Sequence, residues 1–329
     1  MTIINGIEID ITPAPLNDIR KAILQNKPID TVLHVVMVVS NPCQYARRYI
    51  LAREFIARMK HEANVRLYIV ELAYDHQKFY VTKATNNRHL QLRAAAPLWH
   101  KENMINVGIR TLLPKSWKAV AWIDADVEFE NTSWALDTLK ILNGCRDIVQ
   151  PFSHCINMDR EKNTLDIFPS FGFQYATHRP HGLTGINMWH PGFAWACTRA
   201  AYDQIGGLYD ASIMGCGDHI MALAFAGHSH ESMHEEIHPD YQESVESFQR
   251  RARGLVMGYA PGLIRHHYHG SIKNRQYDYQ WHLLVRHQYS PADHIRYRKD
   301  GLIVSTAACP SELLTDIMTY FQERNEDED

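Results

Sequence analysis

The stretch Thr31-Val-Leu-His-Val-Val-Met-Val-Val-Ser40 constrains the fold more than any other part of this chain. It is a continuous β-branched run that breaks at Asn41-Pro42, a turn signal, and it reads as a first strand. Strand-like and helix-like segments then alternate. Tyr49, Ile50, Phe55, Ile56 and Met59 recur at helical spacing, and Asn64-Val-Arg-Leu-Tyr-Ile-Val-Glu-Leu72 supplies a second strand. A helix is predicted from about Trp99 to Leu112, ended by Pro114, with a further apolar strand over Lys118-Ala-Val-Ala-Trp-Ile123. Asn131-Thr-Ser133 can cap a helix carrying Trp134, Leu139 and Leu142, and Asn143-Gly144 can close it. This alternation predicts an α/β, Rossmann-like fold with a mostly parallel central sheet. With no internal repeat or low-complexity linker, one continuous domain is expected over 31–285. It is flanked by an N-terminal extension, 1–30, and a C-terminal extension with an acidic tail, 286–329.

At 329 residues, 45% apolar and 22% charged, the chain has the composition of an ordinary soluble enzyme. Its start lacks a basic stretch followed by an apolar run and a small-residue cleavage site, and no segment approaches the roughly 20 apolar residues needed to span a bilayer. A cytoplasmic location is the expectation. The six cysteines show no C-x-x-C spacing, so they read as buried free thiols. Net charge is −3, yet ten arginines and lysines lie between 250 and 299 against only Asp278 and Asp293. That stretch could hold phosphate or be a solvated basic surface. The run Glu323-Arg-Asn-Glu-Asp-Glu-Asp329 has no apolar period and reads as frayed.

Chemistry enters at Asp124 and Asp126, one residue apart where the predicted strand ends. Two carboxylates there raise one another's pKa unless a counter-charge is supplied, and a divalent cation is the obvious one. Ligands in open α/β sheets bind outside the carboxyl ends of the strands, so the position fits a site. An isolated Asp-x-Asp is a weak motif, more often a turn or a cap.

Three later segments add to it. His190-Pro-Gly-Phe-Ala-Trp-Ala-Cys-Thr-Arg199 is followed by Gly206-Gly-Leu-Tyr-Asp210 and Met214-Gly-Cys-Gly-Asp-His219. Glycines flanking a lone acid let backbone approach a ligand closely, which makes Asp218, beside Gly217, a candidate general base, with helix capping as the plainer role. In Ile264-Arg-His-His-Tyr-His-Gly-Ser-Ile-Lys-Asn-Arg275, one of His266, His267 and His269 can complete the coordination of a carboxylate-held ion, and Lys273 and Arg275 can neutralise a diphosphate. In a strand, His267 and His269 would share a face.

In this order the pieces resemble the metal-dependent A-type fold glycosyltransferases, including the beta-1,4-galactosyltransferase family and related nucleotide-sugar transferases of phages and large viruses. Lys101-Glu-Asn-Met-Ile-Asn-Val-Gly-Ile109 is similar to a galactosyltransferase stretch ending Leu-Asn-Val-Gly-Phe. Trp122-Ile-Asp-Ala-Asp-Val127 is similar to its Asp-Val-Asp segment, Gly215-Cys-Gly-Asp218 to its glycine-rich acidic loop, and Arg265-His-His-Tyr-His-Gly-Ser271 to its late histidine segment. The resemblance covers about residues 32 to 280 and makes 31–285 the catalytic domain. It implies transfer of a sugar from a nucleoside-diphosphate sugar, a UDP-sugar first, to an acceptor hydroxyl with inversion. Asp126 would bind the metal, with Asp124 on its second side or on the ribose, and His269 the third ligand, His266 its fallback. Lys101 and Asn106 would line the nucleotide, Asp218 would be the base, and Gly217, Trp189 and Trp195 would lie on the acceptor side, the tryptophans stacking on the sugar or filling the core. Mn2+ is the expected ion and Mg2+ the second, because imidazole with carboxylates suits manganese better. The galactosyltransferases carry consecutive acids where His219 here follows Asp218.

A competing reading is the zinc-peptidase signature His234-Glu235-Glu-Ile-His238, which needs both histidines on one helical face. Pro239 biases His238 away from helical geometry. A sugar-binding module without turnover is another alternative, and so is transfer onto a modified base in DNA, which the late basic segment would serve.

Overall fold

A computed structural model describes residues 2–4, 7–9, 17–179 and 189–328. Thr2–Ile4 (β1) and Ile7–Ile9 (β2) form a hairpin, and Asp18–Gln25 (α1) follows. The predicted first strand is Leu33–Ser40 (β3), succeeded by Ala46–Met59 (α2), Val65–Tyr74 (β4), His89–Ala94 (β5), Lys101–Leu112 (α3) and Ala119–Ile123 (β6). Then come Val127–Phe129 (β7), Trp134–Ile141 (α4), Ile148–Gln150 (β8), His154–Met158 (β9), Thr164–Pro169 (β10), Phe171–Ala176 (α5) and Ala194–Thr198 (β11). Arg199–Ile205 (α6), Gly217–Ala226 (α7), Pro239–Ala252 (α8), Met257–Tyr259 (β12) and Leu263–His266 (β13) continue the chain. Tyr277–Arg286 (α9), Pro291–His294 (α10), Ile295–Tyr297 (β14), Ile303–Ser305 (β15) and Ser311–Glu323 (α11) complete it.

The main sheet has seven strands in the order β12-β8-β11-β6-β3-β4-β5. All run one way except β11, which is antiparallel to both neighbours. This is the mostly parallel α/β sheet expected. Its two faces are both covered, which is why β3 and β6 are apolar without alternation. Leu33, Val35, Met37, Ala119 and Ala121 pack with Phe55 of α2 and Trp134 and Leu139 of α4, whereas Val36, Val120 and Trp122 pack with Met104 and Val107 of α3. The β5 edge strand was not anticipated, because His89-Leu-Gln-Leu-Arg-Ala94 buries fully only Leu92 and Ala94. A second sheet, β10-β9-β13-β7, stands beside the first and brings β13 antiparallel against β7.

Leu313, Ile317, Tyr320 and Phe321 of α11 belong to the same buried core as Val36 and Trp122, and Phe321 stacks on Trp99. The acidic run that follows is not frayed, contrary to its composition. Arg324 and Glu326 are buried, Glu326 pairs with Arg48 and Arg324, and both Asp327 carboxylate oxygens accept N–H bonds, at 2.8 Å each, from Ala46 and Arg47 at the start of α2. None of the six cysteines is in a disulfide. Among the described residues no helix is long and apolar enough to cross a membrane.

Candidate metal and acid-base site

Asp124 follows β6 directly and Asp126 precedes β7, so the turn between two sheets carries both acids. Its backbone is fixed from both sides: Asp124 N–H donates to Phe193 O (2.8 Å), and the Asp126 carbonyl accepts from His267 N–H (2.8 Å). The two side chains part company. Asp124 pairs with Lys101 Nζ at 2.8 Å, while Asp126 Oδ2 lies 2.8 Å from His269 Nε2 and 3.7 Å from His266 Nε2.

Ligand atoms of Asp126, His266 and His269 meet within 4.8 Å of one another. His266 ends β13, and the turn after it returns His269 to the same place, so the pairing of His267 with His269 on a strand face does not form. His267 instead binds Glu128 at 2.9 Å. Nor is Asp124 a member of this group, as had been expected; its carboxylate is committed to Lys101.

The donor set is short of protons, which is the condition a cation relieves. His266 Nδ1 donates to Asn157 Oδ1 (2.8 Å), and burial lowers the ring's pKa, so its Nε2 is a lone pair. His269 Nε2 lies 3.0 Å from Arg275 Nη2, which can only donate, and 2.8 Å from Asp126 Oδ2, which can only accept, so one imidazole nitrogen is contested by a cation and a carboxylate. Asp126 Oδ1 is buried with no hydrogen-bond partner. Although burial opposes its ionisation, the two imidazoles hold the Asp126 carboxyl well below the usual range. One carboxylate and two imidazoles converging in a buried place, beside a carboxylate oxygen with no hydrogen-bond partner, are a donor set that fits a divalent ion.

The second half of the site is a chain of charges. Lys101, at the first turn of α3, sits between Asp124 and Asp218, with Nζ 3.0 Å from Asp218 Oδ2. Burial works against its charge, but the two carboxylates keep it a cation, well above its normal range. Asp124 is pushed up to about 6 by burial, offset in part by Lys101. Asp218 lies in the first turn of α7, whose N-cap is Cys216 with φ 62°, so it is not the capping residue. Gly192 leaves room on its other side: a Cβ there would lie 3.4 Å from Asp218 Oδ2.

Several expected residues do other work. Gly217 admits the Glu102 carboxyl, which a Cβ would approach to 2.5 Å, and so is no acceptor surface. Asn106 braces a loop: its amide bonds both backbone groups of Leu208, with Tyr202 and Asp210 completing its contacts. It lines a cleft of about 740 Å³ with Arg110, Asp210, Arg251 and Tyr297, which holds none of the cluster residues. Trp195 is core, donating to Pro191 O at 2.7 Å and packing on Phe225, and Trp189 is buried edge-to-face on Phe171. Lys273 is exposed, unlike Arg275.

The zinc-peptidase signature is not helical. His234 precedes α8, His238 is its N-cap with Nδ1 accepting from Asp240 N–H, and Pro239 is its first residue, so the two rings cannot share a helical face. Four of the ten cations in the late basic stretch are paired with acids: Arg250 with Glu243, Arg265 with Glu130, Arg286 with Asp316 and Arg298 with Asp300.

Sequence reasoning missed Glu102, His190 and Glu326. Glu102 is buried on α3, and burial, then Asp218, pushes it up to about 8. His190 stacks on Phe193 (4.1 Å) and is pushed down to about 3 by burial, then by neighbouring cations. Glu326 is held ionised against burial by Arg48 and Arg324. A buried acid directly after Lys101 was the one visible signal; Glu326 gave none.

No family model matches this chain, and no curated protein does. Among solved structures it is similar to the catalytic domain of Drosophila beta1,4-galactosyltransferase 7 crystallised with xylobiose, and to a mutant of that enzyme with manganese, UDP-Gal and xylobiose. Each is 10% identical over 60% of this chain and 62% of the other, with a TM-score of 0.33. A putative nucleotide-diphospho-sugar transferase from Desulfovibrio desulfuricans G20 is 10% identical over 71% of this chain and 80% of its own, with a TM-score of 0.30. The chain thus spans about three fifths of the galactosyltransferase domains it matches.

Proposed function

We propose that the chain is a metal-dependent glycosyltransferase that moves a sugar from a nucleoside-diphosphate sugar, a UDP-sugar first, to a carbohydrate hydroxyl. The observation that carries this is the convergence of Asp126 Oδ2 with two imidazole nitrogens just past the carboxyl end of β6, on a buried carboxylate whose other oxygen, Oδ1, has no hydrogen-bond partner. A divalent cation held by Asp126, His266 and His269, Mn2+ before Mg2+, would stabilise the charge that builds on the departing diphosphate oxygen. Arg275 adds a fixed cation at the same place. Asp218 takes the proton of the acceptor hydroxyl as its oxygen bonds to the anomeric carbon and the carbon–diphosphate bond breaks, its electron pair leaving with the diphosphate. Lys101 holds Asp218 and Asp124 in register and keeps two acids from facing each other bare. The net charge of −3 favours a carbohydrate over DNA, whose phosphates attract a cationic protein.

The test is release of nucleoside diphosphate from a panel of UDP- and GDP-sugars with Mn2+, Mg2+ and Fe2+, since two imidazoles and a carboxylate also suit iron. One donor should turn over with Mn2+, and none with Asp126→Ala. Turnover that survives chelation, or equal rates in the variant, refutes the reading. Asp218→Asn should keep Mn2+ binding and lose transfer to acceptor by roughly 100-fold or more.

A further inference from the structure

We propose that Glu326 is a positioning residue for His269, and that by orienting this ring it sets the affinity of the Asp126–His266–His269 cluster for a divalent cation. The inference rests on the metal-site reading above. Both imidazoles present Nε2 inward and turn Nδ1 outward to an oxygen: His266 to Asn157 Oδ1 at 2.8 Å, His269 to Glu326 Oε2 at 3.8 Å. The Asn157 oxygen is within hydrogen-bond reach, whereas the Glu326 oxygen stands beyond it and acts on His269 as a fixed negative charge facing Nδ1; an outer oxygen so placed orients a ligand ring and raises its basicity. Glu326 is built for the purpose. Its side chain is 1% exposed, its Oε1 accepts from Arg48 Nη2 (2.6 Å) and Arg324 Nε (2.7 Å), and its Oε2 pairs with Arg48 Nε. The carboxylate is therefore immobile.

The surrounding loop is shaped to receive it. Gly270, at φ +89°, sits where a Cβ would come within 3.0 Å of Glu326 Cα and 3.3 Å of the Arg324 and Asn325 carbonyls, so the glycine after His269 admits the acidic segment. Asn274 Nδ2 donates to Glu328 (2.9 Å), and Arg47 of α2 bridges the two stretches, its Nε donating to Tyr268 O and its backbone N–H to Asp327, each at 2.8 Å. The composition that reads as disorder is thus one wall of the cluster.

The test measures Mn2+ affinity of the full chain by the electron paramagnetic resonance of free Mn2+, with melting temperatures alongside. Glu326→Gln removes the charge. Glu326→Asp keeps a charge for Arg48 and Arg324 but withdraws it from His269, and serves if the first variant does not fold. Asp327→Ala loosens the segment elsewhere. The expected result is a loss of roughly 10–100-fold in Mn2+ affinity for both Glu326 variants, with Asp327→Ala near wild type. Wild-type affinity in Glu326→Asp, or an equal loss in Asp327→Ala, overturns the proposal while leaving the metal site standing. Failure of the wild type to bind Mn2+, or equal binding by Asp126→Ala, overturns both.

Discussion

Glu102→Gln isolates the cost of keeping an acid in the core beside Asp218. Glu102 titrates at about 8 in the folded chain against an ordinary 4.5, because burial and the neighbouring carboxylate disfavour its anion. An acid whose folded pKa is raised binds its proton more tightly in the native state, so its contribution is greatest below pH 4.5 and is lost as pH rises toward 8. At about 1.4 kcal/mol per pH unit, that interval corresponds to roughly 5 kcal/mol. A chain of this length has an unfolding entropy near 0.7 kcal/mol/K, so the loss is about 7 °C in melting temperature. Glutamine has the shape of the protonated acid and no proton to lose. Melting curves of the two proteins should therefore coincide near pH 4.5 and diverge by several degrees at pH 8.5, with the variant the more stable. Subtracting one curve from the other removes shared titrations, such as Asp124 near 6 and His190 near 3, the latter acting with the opposite sign. A difference that stays flat across this range would refute the reasoning.

Asn106→Ala should lower stability by roughly 3 kcal/mol or more, since the Leu208 N–H and C=O lose their partner inside the protein; calorimetry checks this, and Mn2+ uptake should not change. Trp195→Phe should cost about 1 kcal/mol through the lost bond to Pro191 O while leaving acceptor KM unaltered. A raised KM at unchanged melting temperature would restore the stacking role expected from the sequence.

Asp126 was legible because a strand-end acid is a local pattern, and the late histidines because they crowd four positions. That the two acids divide, one to Lys101 and one to the imidazoles, was not, since the division depends on which helix and turn arrive in three dimensions. Asn106 shows the converse. Its motif pointed to a binding residue, yet its four hydrogen-bonding contacts are spent on Leu208, Tyr202 and Asp210. The parallel sheet was readable from β3, apolar on both faces, whereas β5 was not, because this edge strand buries only two of its six residues fully. The acidic run was misread because charge composition registers repulsion within a segment and has no access to guanidiniums supplied from elsewhere.

The pairing of Arg48 with Glu326 joins residues 278 positions apart. A ribosome delivers them in that order, so Arg48 emerges, and β3, α2 and β4 can assemble around it, long before its carboxylate exists. Until residue 326 is made, the nascent chain carries a guanidinium that its own core cannot accept and a His269 without its outer oxygen. The Arg48–Glu326 pair can therefore close only after the acidic run has been made, which couples the start of α2 to the last residues of the chain.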